Sequence, residues 1–169
     1  MNVHYTAPHA PWGREQHLDD LYEDYWRNCE FESVRWDPVH PNHLSKEGSS
    51  GSIGRDWEER RNLLSGYFAA ITAMDSNIGR LIDWLESNGL RESTLIIFTS
   101  DNGMNMGHHG IWGKGNGTYP PNMFDTSVKV PTLLSMPGSI PSGEICSDLL
   151  SHYDVMPMIL EFAGISRTE

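Results

Sequence analysis

The chain has 169 residues and a formal net charge of −11, with 38% hydrophobic and 21% charged residues. This composition is typical of one globular domain, and no stretch approaches the roughly 18 apolar residues of a membrane span. The acidic excess argues against a nucleic-acid partner, which would need a basic surface. The two cysteines, Cys29 and Cys146, form no CxxC pattern, so a single disulfide and two independent thiols both stay open.

The first third of the chain predicts little regular structure. Residues 2–6 predict a short extended stretch without the basic and apolar regions of a signal peptide, so the sequence assigns no compartment. This stretch ends where Pro8 and Pro11 exclude regular structure. Residues 15–29 predict a short acidic helix. Residues 32–55 are rich in Pro, His, Ser and Gly, which predicts a flexible loop.

The rest of the chain predicts alternating helices and strands. Apolar residues recur at spacings of three and four over residues 64–85 and predict a strong helix, with Gly89 as its left-handed cap. The apolar run at residues 95–98 predicts a buried strand within a parallel sheet. Residues 130–136 predict a second strand, and residues 151–163 predict a last helix. This order predicts an α/β fold with a mostly parallel sheet and flanking helices.

A long glycine-rich loop, residues 101–123, follows the first predicted strand. Ligands collect at the carboxyl ends of strands in α/β sheets, which is where Asp101 and Asn102 lie. Their side-chain oxygens suit calcium or magnesium, although calcium takes about six to eight oxygen ligands. By itself, Asp-Asn-Gly is more typical of an ordinary turn. However, a long loop dense in glycines and polar donors is more typical of a functional site. The donors in this loop are His108, His109 and Lys114.

Four blocks of sequence, in the same order, resemble the sulfatase family of the alkaline phosphatase superfamily. Residues 5–12, with Pro-His-Ala-Pro, resemble the family's segment that carries an active-site histidine. Residues 67–81 resemble the helix that precedes the metal-binding strand. Residues 99–115 contain Ser-Asp-Asn-Gly, Gly-His-His-Gly and Trp-Gly-Lys-Gly, which are similar to the family signature. Residues 130–157 resemble the segments that follow.

The resemblance implies a partial alkaline-phosphatase-like sandwich and the metal-assisted hydrolysis of sulfate esters of carbohydrates or aryl alcohols. It implies that Asp101 and Asn102 bind a divalent cation, usually Ca²⁺, with Mg²⁺ as the alternative. It implies that Lys114 contacts sulfate oxygens and that His9 faces the sulfate group, where it assists proton transfer. In relatives, a histidine just before the Gly-x-Trp stretch lines the substrate pocket, and we favour His109 for this role.

The family's nucleophile motif does not occur in these 169 residues. The nucleophile is a cysteine or serine in Cys/Ser-x-Pro/Ala-x-Arg, which is oxidised to formylglycine, and neither Cys29 nor Cys146 begins such a motif. Two further acidic metal ligands of the family also have no match. We therefore expect residues 1–169 to form a single partial catalytic domain without the N-terminal nucleophile segment and the C-terminal subdomain. We expect this domain to be inactive alone, and to self-associate or to need a complementing N-terminal half.

Two alternative functions stay open. A phosphodiesterase or phosphonate hydrolase of the same superfamily would share the fold and some metal ligands, but such enzymes often have histidine where this chain has Asn102. A non-catalytic protein would keep a partial cation or anion site, or none, and the missing nucleophile motif favours it for the isolated chain.

Overall fold

The computed structural model describes residues 1–44 and 56–165. These ranges contain the helices α1 (Asp19–Asn28), α2 (Trp57–Ser87), α3 (Asp125–Val128) and α4 (His152–Phe162), and the strands β1 (Ile96–Thr99) and β2 (Thr132–Ser135). The helices and strands follow the predicted order. Residues 45–55 of the predicted flexible loop at residues 32–55 lie outside the described residues, and its described part, residues 32–44, contains no helix or strand. No helix in the described ranges is long and apolar enough to span a membrane.

Helix α2 organises the N-terminal half of the fold. It begins earlier than its apolar repeat predicts, because the Asp56 side chain accepts a hydrogen bond from the Glu59 backbone N–H at 2.9 Å and so caps the helix. It ends before Gly89, whose φ of +65° confirms the predicted left-handed cap. Helix α1 packs along α2, with the Tyr25 hydroxyl 2.8 Å from the Thr72 hydroxyl. These contacts place the N-terminal segments beside the first half of α2.

The core joins segments that are distant in sequence. Its buried side chains are Trp12, Phe31, Leu64, Met106 and Trp112. The ring centroid of Trp12 lies 6.2 Å from that of Trp112, with the two rings edge to face. Such aromatic pairs contribute about 0.5–1.5 kcal/mol beyond the area that they bury. The N-terminal loop (residues 5–12), helix α2 and the 101–123 loop therefore meet in one hydrophobic cluster.

Strands β1 and β2 pair in an antiparallel manner, from Ile96 opposite Ser135 to Thr99 opposite Thr132. The predicted parallel arrangement is therefore wrong for these two strands. An apolar run indicates burial but not strand direction, and direction depends on where the connection returns the chain. Here the 101–123 loop and α3 return the chain so that β2 runs back beside β1.

Strand β2 and helix α4 expose several large apolar side chains. Leu133 is 62% exposed, Met156 is 71% exposed and Tyr153 is 92% exposed. Helix α4 begins with a capping box, in which the Asp154 carboxylate accepts hydrogen bonds from the Ser151 backbone N–H and hydroxyl. These hydrogen bonds hold the pKa of Asp154 below its ordinary value. Local capping thus stabilises a helix whose apolar side chains have little cover in the described part of the chain.

Candidate functional site

The carboxyl end of β1 carries the two predicted cation ligands. Strand β1 ends at Thr99, so Asp101 and Asn102 lie just beyond it, as the sequence predicts. Asp101 is exposed, and its carboxylate accepts a hydrogen bond from the Ser100 hydroxyl at 3.4 Å. Asn102 is half-buried, and its amide nitrogen donates to the Gly103 carbonyl at 3.1 Å. The amide oxygen of Asn102 and the carboxylate of Asp101 are then the atoms that could meet a ligand.

These two side chains fit a hard cation, because both offer oxygen atoms. Calcium takes about six to eight oxygen ligands, so they can supply only part of a site. Over residues 1–44 and 56–165, no three His, Cys, Asp or Glu side chains come together that could hold a metal ion. The assignment of Ca²⁺ or Mg²⁺ to Asp101 and Asn102 therefore stays a prediction.

Lys114 lies in the 101–123 loop, two residues after the buried Trp112. The backbone on each side of it is held by an asparagine amide. Asn105 Nδ2 donates to the Gly113 carbonyl at 2.7 Å, and Asn122 Nδ2 donates to the Lys114 carbonyl at 3.2 Å. The side chain is half-buried, and no carboxylate among the described residues pairs with its ammonium group. Such a group can bind an anion as a point charge.

His109 is exposed, but its position is fixed by two contacts. Its backbone N–H donates to the Asp37 carboxylate at 2.9 Å. Its ring stacks on Phe124 with a centroid distance of 4.0 Å and an interplanar angle of 9°. Its neighbour His108 is half-buried, with Nδ1 2.8 Å from the Asn105 carbonyl. Of the two adjacent histidines, His109 is thus the one whose ring faces solvent.

His9 is exposed in the N-terminal loop, and its Nδ1 lies 2.9 Å from the Ala10 carbonyl oxygen. Trp12 fixes this loop, because its indole N–H donates to the Pro8 carbonyl at 2.9 Å. The same indole ring packs against Trp112 in the core. The tryptophan pair therefore joins the loop that carries His9 to the loop that carries Lys114.

A buried arginine supports this junction. Arg60 on α2 is 2% exposed, and its guanidinium lies 4.6 Å from the Trp36 ring centroid and 5.9 Å from that of Trp112. Burial lowers the pKa of Arg60 from its ordinary value. A Cβ at Gly107 would lie 2.1 Å from the guanidinium, so only glycine leaves room for it. Arg60 therefore packs residues 33–44 against the 101–123 loop and lies away from solvent.

Sequence reasoning did not find several residues that shape this site. Asn105 and Ser127 are buried polar residues, at 0% and 4% exposure, and Phe124 and Asp37 hold His109. None of them has a periodic spacing or a motif that connects it to its partner. Only their burial and contacts in the folded chain identify them.

Residues 1–165 match the family model for the sulfatase family. The chain belongs to the sulfatase family. The family predicted from the sequence is therefore confirmed.

One sulfatase relative is the choline-sulfatase of Rhizobium meliloti, which is 30% identical over 176 residues. That alignment covers 100% of this sulfatase chain and 32% of the relative. The chain therefore spans between about a quarter and a third of the length of curated relatives that it matches.

Two solved structures show which fold this chain shares. A protein in complex with its substrate D-glucosamine-2-N,6-O-disulfate is 31% identical, with a TM-score of 0.59 over 66% of this sulfatase chain and 21% of that chain. The phosphonate monoester hydrolase of Silicibacter pomeroyi is 29% identical, with a TM-score of 0.58 over 67% of this chain and 21% of that chain. The α/β, alkaline-phosphatase-like fold class predicted from the sequence is therefore confirmed.

Proposed function

We propose that this sulfatase chain supplies the cation-binding and sulfate-binding part of an enzyme that hydrolyses sulfate esters to an alcohol and sulfate. The observation that carries the proposal is the packing of Trp12 against Trp112, with a centroid distance of 6.2 Å. This packing joins the loop of the exposed His9 to the loop of the half-buried Lys114, whose ammonium group pairs with no carboxylate in the described part of the chain. The same loop begins at the end of β1 with Asp101 and Asn102.

Lys114 and His9 have complementary roles in this proposal. The Lys114 ammonium neutralises charge on the sulfate oxygens. Because a carbonyl can only accept a hydrogen bond, the Nδ1 of His9 that faces the Ala10 carbonyl at 2.9 Å carries the proton in the neutral ring. Its Nε2 is then the atom that exchanges a proton with the ester or leaving-group oxygen. His109 and Phe124 present a flat surface on which the remainder of the substrate could pack.

Asp101 and Asn102 would hold the divalent cation, Ca²⁺ or Mg²⁺. When bound, the cation would offset negative charge that develops during sulfuryl transfer. The exposed carboxylate of Asp101 and the half-buried amide of Asn102 offer it oxygen atoms from adjacent residues. The remaining ligands and the formylglycine nucleophile would come from a segment outside these 169 residues, because no Cys/Ser-x-Pro/Ala-x-Arg motif occurs in the sequence.

A complementing segment or a second copy of the chain is part of this proposal. It is supported by the exposed apolar side chains of β2 and α4, such as Leu133, Tyr153 and Met156. Exposed apolar surface of this extent favours association. Size-exclusion chromatography of the purified chain tests it, since a stable monomer that melts cooperatively would contradict it.

Calorimetry with calcium tests the cation site directly. If a second copy of the chain completes the ligand set, the wild-type chain is expected to bind Ca²⁺, and Asp101→Ala is expected to lose this binding. Asp83→Ala is the matched control, because it removes an exposed carboxylate on α2 and should leave binding intact. Equal binding by the wild type and Asp101→Ala, or no binding by either, would contradict a cation site formed by this chain at Asp101.

A phosphonate hydrolase is the second candidate, favoured by the structural similarity to the enzyme from Silicibacter pomeroyi. Titration with sulfate and with methylphosphonate, measured by calorimetry, distinguishes the two. A sulfatase site is expected to bind sulfate more tightly, and Lys114→Ala is expected to abolish that binding. Lys129→Ala is the control, since Lys129 is exposed and already paired with Asp125 at 2.7 Å. Tighter binding of methylphosphonate would favour the second candidate.

A further inference from the structure

Asn105 lies in the 101–123 loop, and its side chain is fully buried, at 0% exposure. Its Nδ2 donates to the Gly113 carbonyl and to the Ser127 hydroxyl, both at 2.7 Å. Its Oδ1 accepts from the Thr126 hydroxyl at 2.5 Å. A buried amide is tolerated only when its hydrogen bonds are made, so the conformation of this loop depends on these bonds.

Asn122 holds the other side of Lys114. Its Nδ2 lies 3.2 Å from the Lys114 carbonyl and 3.2 Å from the Gly115 carbonyl. Its backbone N–H also donates to the Gly115 carbonyl, at 2.8 Å. The two asparagines therefore hold three successive carbonyl groups, those of residues 113 to 115.

Ser127 on α3 connects the two asparagines to the start of the loop that follows β1. Its hydroxyl accepts from Asn105 at 2.7 Å and donates to the Asn122 amide oxygen at 2.6 Å. Its backbone carbonyl accepts from the Gly103 N–H at 3.1 Å. Gly103 directly follows Asn102, one of the two proposed cation ligands. Ser127 is therefore hydrogen-bonded both to the backbone next to Asn102 and to the two asparagines that hold the backbone around Lys114.

We infer that Ser127, Asn105 and Asn122 are positioning residues that set the Lys114 ammonium group relative to Asp101 and Asn102. This inference rests on the proposed function, because the distance from Lys114 to Asp101 and Asn102 matters only if these residues bind sulfate and the cation. The glycines of the loop cannot fix that separation by themselves, since they add conformational freedom. A hydrogen-bonded network with two buried members, Asn105 and Ser127, supplies the missing rigidity.

The test compares Ser127→Ala, which removes the shared hydroxyl, with Ser127→Thr, which keeps it. Asn116→Ala is the control, because Asn116 is exposed in the same loop. Inorganic sulfate is titrated into the ¹⁵N-labelled chain at constant ionic strength, and amide hydrogen exchange is measured at Gly103 and Asn122. Ser127→Ala is expected to bind sulfate about tenfold more weakly, since it leaves buried polar groups unpaired. It is also expected to speed exchange at both amides, while Ser127→Thr and Asn116→Ala stay near wild type.

Each outcome decides a separate point. Wild-type sulfate affinity and unchanged exchange in Ser127→Ala would overturn the inference. A lower melting temperature without a change in affinity or local exchange would show a merely structural role and would also overturn it. If the wild-type chain binds no sulfate, the proposed function fails, and exchange at Gly103 and Asn122 still decides whether Ser127 fixes the loop. If Ser127→Ala does not fold, Asn122→Ala at a half-buried position replaces it with the same expected results.

Discussion

The imidazole ring of His109 lies parallel to the phenyl ring of Phe124, with 4.0 Å between the ring centroids. The backbone of His109 adopts a φ of +59°, which is uncommon for a residue with a side chain. The backbone N–H of His109 donates a hydrogen bond to the Asp37 carboxylate, with 2.9 Å between nitrogen and oxygen. Two segments far apart in sequence thus fix the direction of an exposed ring in the loop that also carries Lys114.

Replacing Phe124 with leucine is expected to release this ring. The ¹H signals of the His109 imidazole should move downfield, because the ring current of Phe124 is lost, and the chain should lose about 0.5–1.5 kcal/mol of stability. ¹H–¹³C NMR and urea denaturation measure the two effects. Met123→Leu, at a neighbouring position that is 79% exposed, should change neither. Imidazole signals that stay in place in Phe124→Leu would show that the stack does not form in solution.

Two glycines of α2 are expected to respond to alanine in opposite directions. A Cβ at Gly79 would have no atom within 4 Å, whereas a Cβ at Gly66 would lie 2.0 Å from the Trp12 carbonyl oxygen. Gly79→Ala should therefore stabilise the chain by about 0.5–1 kcal/mol, because alanine loses less conformational freedom in a helix. Gly66→Ala should destabilise it by about 1–3 kcal/mol or more, because the backbone must move. Urea denaturation followed by circular dichroism measures both, and equal changes in the two variants would contradict the close packing of Trp12 on α2.

Removing the Trp12 side chain is expected to unfold the junction between the N-terminal loop and the 101–123 loop. Trp12 is 5% exposed, and Trp12→Ala should cost about 3–5 kcal/mol, as other buried tryptophan truncations do. The control is Trp84→Ala on α2, where the ring is 58% exposed and the change should stay within about 0.5 kcal/mol. Chemical denaturation gives the free energies. A small loss in Trp12→Ala would mean that this tryptophan pair does not hold the two loops together.

The stability of the fold is expected to fall as the solution becomes acidic, through His17. Burial lowers the pKa of His17 from its ordinary value of 6.5, and the nearby Glu15 carboxylate only partly opposes this shift. Because the folded state takes up the proton less readily than the unfolded chain, the contribution is fully present above pH 6.5. It is lost as the pH falls toward the lowered pKa. His17→Gln should reduce the slope of the unfolding free energy against pH between the lowered pKa and pH 6.5. A slope identical to that of the wild type would exclude His17 as the cause of this pH dependence.

The sequence by itself determined the features that depend on local patterns. The apolar repeat over residues 64–85 and the cap at Gly89 specified α2, because helix periodicity and capping involve residues that are close in the chain. The apolar run before Asp101 likewise specified β1 and placed Asp101 and Asn102 at its carboxyl end. The ordered blocks of residues specified the family.

Only the tertiary structure decided the features that depend on contacts across the chain. The antiparallel pairing of β1 with β2 follows from the path of the connecting loop, which an apolar run does not encode. The hydrogen bonds that join Asn105 to Ser127 and the stacking of His109 on Phe124 have no spacing that a sequence pattern could reveal. Gly66 and Gly79 look alike as helical glycines, and only the approach of the Trp12 backbone distinguishes them, because close packing is a property of the folded chain.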